Sequence, residues 1–236
     1  MKDYTDLNII VDRSGSMSSI AEDMVGGLRT FVETEKTRRD DLTNKVKDVK
    51  VSYYIFDDKY EEVFSEKDIQ NVKPEDFKLV PRGWTALIDA IGKTITSVGE
   101  RLSNLAENDR PNRVLFMIVT DGADNRSSEY KLSKVKDMIK HQRDVYAWDF
   151  AFLGANIDTF GTANSLSIGA ASTCDWQPTK RGVNDAFRGF TESYASYACL
   201  DRSQDRGSTF AFKNAATPPS MRGEKSDVIV PPSENP

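Results

Sequence analysis

The chain of 236 residues is 38% hydrophobic and 29% charged, an ordinary balance for a globular protein of one large domain or two small ones. Lys plus Arg number 32 against 37 Asp plus Glu, a net charge of −5, so there is no bulk attraction to nucleic acid or to an anionic membrane. Two cysteines without C-x-x-C spacing, Cys174 and Cys199, and a single histidine, His141, argue against a disulfide scaffold, a His-based zinc site and a His-activated nucleophile.

The first apolar run, Leu7 to Val11, reads as a strand that ends at Asp12. A helix is expected next, with Ile20, Met24, Leu28, Phe31 and Val32 on one face; Gly26 and Gly27 interrupt it and are expected to let it approach the sheet closely. Residues 49 to 64 read as an antiparallel hairpin, with Val49, Val51, Tyr53 and Ile55 on one side, a turn at "DDK", and an edge strand returning through "YEEVF". Thr85 to Leu102 is the clearest helix, with Leu87, Ile91, Ile95, Val98 and Leu102 in register. "RVLFMIVT" is a continuous apolar strand, the pattern of a sheet covered on both faces.

"SSEYKLSKVKDMIK" reads as a helix with a serine N-cap and with Leu132, Val135 and Ile139 on one face. "VYAWDFAFLG" reads as another strand. The last helix carries Val183, Phe187, Phe190, Tyr194 and Tyr197. Residues 201–236 are rich in Pro, Gly, Ser and charge and read as a flexible C-terminal tail, with a short docking segment expected at Phe210 to Phe212 or Val228 to Val230. No apolar run approaches the roughly 18 residues of a membrane helix, and "MKDYTDLNIIV" carries acids where a signal peptide needs an apolar core. The expected compartment is the cytoplasm, or a host cytoplasm for a viral gene.

Strands alternating with helices imply an α/β fold: a doubly wound, Rossmann-like, mostly parallel sheet with one antiparallel edge strand and helices on both faces. In such a sheet the loops after the strand C-terminal ends gather on one edge. Three segments meet there: "DRSGS" after the first strand, "GWTALIDAIG" at the head of the clearest helix, and "VTDGADN" after the buried strand. They bring Asp12, Ser14, Ser16, Thr85 and Asp121 toward one point. All five offer oxygen, the donor that Mg²⁺, Mn²⁺ and Ca²⁺ prefer, and two carboxylates roughly balance one dication. Gly15 supplies the backbone freedom for D-x-S-x-S.

D-x-S-x-S, a later Thr in a G-x-T context and a T-D-G turn, in this order, resemble the metal-ion-dependent adhesion site of von Willebrand factor type A domains. The resemblance covers about residues 5 to 200, so residues 1–200 are expected to form that domain, similar to the small stand-alone members of bacteria and phages. It implies that Ser14 and Ser16 touch a divalent cation directly, that Asp12 and Asp121 hold it directly or through water, and that Thr85 enters or leaves its shell. It also implies a protein partner that donates an Asp or Glu carboxylate. The family often has Gly-Gly before the Thr; here Gly83 and Trp84 stand there, and Trp84 either narrows the approach or contacts a partner.

Two other functions compete with the binding module. A metal-dependent hydrolase or phosphatase needs a base or nucleophile near the metal. Ser14 occupies the place of a second carboxylate, and only Asp124 and Asp158 offer a nearby base. A structural protein whose metal merely ties loops together is the other alternative. The expectation is a binding module without catalytic residues, not an enzyme. Arg13, Arg82 and Arg126 flank the motifs, either as solvated loop charges or as a basic rim that steers an acidic ligand. "RGWTALIDAIGK" lacks the spacing of a phosphate-binding loop.

Overall fold

The computed structural model describes residues 1–39, 47–200 and 209–213. Six strands and five helices alternate along it. They are β1 (Lys2–Asp12), α1 (Ala21–Lys36), β2 (Val49–Phe56), β3 (Tyr60–Asp68), α2 (Leu87–Ser103), β4 (Pro111–Thr120), α3 (Leu132–Tyr146), β5 (Asp149–Gly154), α4 (Thr159–Ser165), β6 (Thr173–Asp175) and α5 (Lys180–Ala198). The strand order is β3-β2-β1-β4-β5-β6, and every neighbouring pair is parallel except β2 with β3. The expected doubly wound sheet with one antiparallel edge strand is what the chain forms.

Alternation along the strands divides the core into two layers. Leu7, Ile9 and Val11 of β1 join Val51, Tyr53 and Ile55 of β2 beneath Leu28 and Phe31 of α1 and Phe187 and Phe190 of α5. Ile10 points the other way, with Tyr54 and Phe56, beneath Leu87, Ile91 and Ile95 of α2 and Val135 and Ile139 of α3. Both faces of β2 are therefore buried. A Cβ on Gly27 would fall 2.3 Å from a ring carbon of Phe187, while one on Gly26 meets nothing within 4 Å. Gly27 thus lets α1 approach α5, not the sheet, and Gly26 has no such role.

Several boundaries differ from the sequence reading. Thr85 precedes α2 instead of opening it. The helix α3 begins at Leu132 with Lys131 at its N-cap and no side-chain cap, so the expected serine cap is absent. Val145 and Tyr146 finish α3, and Ala147 in the left-handed region (φ 55°) ends it, so the next strand starts only at Asp149. The short elements α4 and β6 carry too little periodicity to be read. Phe210 and Phe212 are buried in the core against Phe190, with ring centroids 5.4 and 6.4 Å away. The Phe210 amide donates to Asp149 Oδ1 (3.0 Å) and the Phe212 amide to the Ala171 carbonyl (2.8 Å). Val228 to Val230 lie outside the described residues. Among the described residues, no helix is long and apolar enough to cross a membrane.

Candidate metal centre

The chain leaves β1 toward β2 on one side and later returns to place β4 on the other. The loops after β1 and β4 therefore diverge and open a crevice at the carboxyl ends of these strands. Asp12 is the last residue of β1 and is fully buried. Its Oδ1 accepts the Ser14 amide (2.7 Å), a local turn that starts the D-x-S-x-S loop, and its Oδ2 accepts the Thr120 hydroxyl (2.7 Å). A 3-10 turn over Gly15–Ser19 then brings Ser16 back over the crevice. Ser14 Oγ and Ser16 Oγ lie 3.1 Å apart, and Ser16 Oγ donates to Asp121 Oδ1 (2.6 Å).

Thr85 arrives from the long connection between β3 and α2. Gly83 takes a left-handed φ of 67°, and a Cβ there would fall 2.1 Å from Asp58 Oδ1, so this turn requires glycine. The Gly83 carbonyl accepts the Gly15 amide (3.3 Å), the Arg82 amide donates to the Arg13 carbonyl (2.8 Å), and the Ala86 amide donates to the Asp57 carbonyl (3.0 Å). A Cβ on Gly122 would stand 3.4 Å from Thr85 Oγ1 and 3.7 Å from Ser16 Oγ, so the turn after Asp121 runs against both hydroxyls. The structure thus brings Asp12, Ser14, Ser16, Thr85 and Asp121 together. Among the described residues, no hydrogen bond engages Thr85 Oγ1, which is held beside Ser16 and Asp121 with its oxygen available.

The electrostatics suit a cation. Burial pushes Asp12 up to about 6, and the neighbouring Asp121 charge adds to this, against hydrogen bonds from Thr120 and Ser14. Burial also raises Asp121, opposed by the bond from Ser16. Among the described residues, no Lys or Arg pairs with either carboxylate, and no group of three or more His, Cys, Asp or Glu side chains is arranged to hold a metal ion. Two acids and three hydroxyls, without nitrogen or sulfur and without a protein counter-charge, fit a hard divalent ion.

The flanking residues divide differently from the sequence reading. Arg13 is buried, neither a solvated loop charge nor part of a rim: its Nε meets Asp57 Oδ2 (2.8 Å) and a terminal nitrogen meets Glu61 (2.7 Å). Arg82 pairs with the same Asp57 oxygen (2.8 Å). Burial alone would raise Asp57, but Arg82, the Lys59 amide and Arg13 bring it below the usual carboxylate range. Arg126 remains exposed, and Trp84, beside Thr85, is 63% exposed. Asp124 accepts the Ile88 amide (3.2 Å) and the Ser127 hydroxyl (2.5 Å). Asp158 accepts the Gly161 amide (3.0 Å) as the N-cap of α4, so both candidate bases serve as helix caps. Sequence reasoning missed Thr120 and Asn125. The parallel register that pairs Val11 with Val119 sets Thr120 beside Asp12, a signal available only once β1 and β4 are known to be neighbours.

No family model and no curated protein matches the sequence. Solved structures match the fold. The von Willebrand factor domain of the type V pili tip protein Mfa5 from Porphyromonas gingivalis is 9% identical, over 83% of this chain and 96% of that one, with a TM-score of 0.57. A von Willebrand factor type A protein from Catenulispora acidiphila is 14% identical, over 81% and 43%, with a TM-score of 0.54. Proximal thread matrix protein 1 from the mussel byssus, solved with a zinc-occupied metal-ion-dependent adhesion motif, is 13% identical, over 83% and 46%, with a TM-score of 0.55. The chain spans about half the length of the mussel protein structures it matches. The fold is that of von Willebrand factor type A domains, and at these identities the likeness is one of fold.

Proposed function

We propose that this chain is a metal-dependent protein-binding module. Asp12, Ser14, Ser16, Thr85 and Asp121 would hold a divalent cation, Mg²⁺ or in its place Mn²⁺ or Ca²⁺. A partner protein would supply an Asp or Glu carboxylate. The bound cation would contribute a positive centre that offsets the desolvation of that carboxylate. The observation that carries this reading is the pair of buried carboxylates, Asp12 and Asp121, set among hydroxyls with no basic side chain among the described residues to balance them. The pilus-tip and byssus neighbours support it in general terms, the byssus protein having been solved with zinc in its own metal-ion-dependent adhesion motif. Trp84 is positioned to contact the partner beside the site, and exposed Arg126 gives the rim a positive charge.

Hydrolysis is the weaker reading, because Asp124 and Asp158 are committed to helix amides. The test is Mn²⁺ binding by electron paramagnetic resonance on wild type and Asp12→Ala, then capture of an acidic protein ligand with metal against chelator. One ion bound by wild type and lost in the variant is expected. Failure of wild type to bind refutes the metal reading, and phosphoester turnover abolished by Asp12→Ala would favour the hydrolase.

A further inference from the structure

The loop that follows Asp121 is bound to the residues around Thr85 by reciprocal hydrogen bonds. The Thr85 amide donates to Asn125 Oδ1 (2.9 Å), and the Asn125 amide donates back to the Thr85 carbonyl (2.9 Å). The Arg126 amide shares that carbonyl (3.1 Å). One turn on, the free amides of α2 are capped from the same loop, Ile88 by Asp124 (3.2 Å) and Asp89 by the Ser127 hydroxyl (2.9 Å). The Asp89 carboxylate answers by accepting the amides of Ser128 (2.8 Å), Glu129 (3.0 Å) and Tyr130 (2.7 Å). The D-x-S-x-S loop meets these segments at other points, through the Gly15 amide to the Gly83 carbonyl (3.3 Å), the Arg82 amide to the Arg13 carbonyl (2.8 Å) and Ser16 Oγ to Asp121 Oδ1 (2.6 Å), none of them to the Thr85 backbone.

We propose that Asn125 is the positioning residue of Thr85, holding the backbone that carries its hydroxyl to the loop that follows Asp121. This rests on the metal-binding reading above. The Asn125 carboxamide fixes the amide of Thr85 and its own backbone N–H fixes the carbonyl, so the one residue holds the peptide groups on both sides of the Cα that carries the hydroxyl. Its orientation is determined, because the Thr85 N–H needs the oxygen and not the nitrogen of the carboxamide. Thr85 then moves only together with the Asp121 loop.

The experiment measures Mn²⁺ affinity of the full chain by paramagnetic resonance for wild type, Thr85→Ala, Asn125→Ala, Asn125→Asp and the double alanine variant. Loss of an outer partner of a metal ligand costs about 10-fold in affinity, the drop expected for Asn125→Ala, and Thr85→Ala, which removes the ligand itself, is expected to lose at least as much. The double variant is expected to be no weaker than Thr85→Ala alone, because the clamp acts only through Thr85. Asn125→Asp keeps the acceptor and is expected to retain wild-type affinity. A purely structural Asn125 would lower thermal stability without this non-additivity. Wild-type affinity in Asn125→Ala, or losses that multiply in the double variant, overturn the proposal while leaving the metal reading intact. Absence of binding by wild type overturns both. If the alanine variant fails to fold, Asn125→Ser, whose shorter hydroxyl stops short of the Thr85 amide, takes its place with the same expected loss.

Discussion

Replacing Asp12 by asparagine should stabilise the metal-free protein while abolishing its response to metal. Asp12 is fully buried, and its pKa rises from 3.8 to about 6. At neutral pH that ionised carboxylate costs the fold on the order of 3 kcal/mol, at about 1.4 kcal/mol per pKa unit. An amide of the same shape carries no charge. Its oxygen can still accept the Ser14 amide, and its nitrogen can donate to Thr120 Oγ1, whose proton then turns to the Gly122 carbonyl 3.0 Å away. With some strain allowed, a gain of about 1–3 kcal/mol is expected, or roughly 2–4 °C in Tm per kcal/mol for a chain of this size.

The pH dependence gives the sign. The folded-state pKa lies above the unfolded value, so between 3.8 and about 6 the folded protein keeps a proton that the unfolded chain has lost. Metal-free wild type therefore gains stability from this group as pH falls through about 6 and loses it as pH rises to neutrality, and the advantage of Asp12→Asn vanishes in acid. With Mg²⁺ present, wild type gains about 2.7 kcal/mol at a hundredfold excess over Kd, and the variant gains nothing. The assay is urea or thermal unfolding with chelator and with Mg²⁺, at neutral and mildly acidic pH. A variant that is less stable than wild type in chelator at neutral pH, or that keeps the full Mg²⁺ shift, refutes the reasoning.

Other substitutions test the frame around the site. Asp57→Ala leaves buried Arg13 without its main partner and should cost about 3–5 kcal/mol in urea unfolding, more than any exposed ion pair in the chain. Gly83→Ala forces a left-handed φ on a side chain that also meets Asp58; a loss of about 1–2 kcal/mol is expected, together with weaker Mn²⁺ binding because Thr85 follows this turn. Phe210→Ala removes a ring packed against Phe190 and Tyr197 and should cost about 3–5 kcal/mol while leaving Mn²⁺ affinity unchanged, since it lies away from the crevice.

The strands and long helices were legible because their periodicity is strong. β4 is apolar without a break from Val114 to Val119 and is buried on both faces there, as its sequence requires. The five oxygen-bearing residues were legible because each stands at the boundary of such an element. What the sequence hid depends on contacts between distant segments. Arg13 lies next to Asp12 and looks like a free loop charge, yet its partners Asp57 and Glu61 come from the β2–β3 turn and the adjoining edge strand. The end of α3 turns on one left-handed alanine, a conformation no composition announces. Asn125 is an unremarkable loop residue until Thr85 is seen against it.

How the buried acids are balanced explains why the crevice, and not another part of the fold, is suited to a cation. Asp6 has Arg101 at 2.9 Å, Glu35 has Arg38 at 2.5 Å, and Asp57 has two arginines. Asp89 has three backbone amides in place of a cation. Among the described residues, Asp12 and Asp121 are met by amides and hydroxyls and by no cation, and the Asp121 charge raises Asp12 further. Charge left unbalanced in this way is unfavourable in the isolated chain and becomes favourable once a dication arrives from outside. Under the proposed function, stability and recognition depend on the same two carboxylates, so a substitution that relieves the metal-free protein would remove the means of holding a partner's carboxylate.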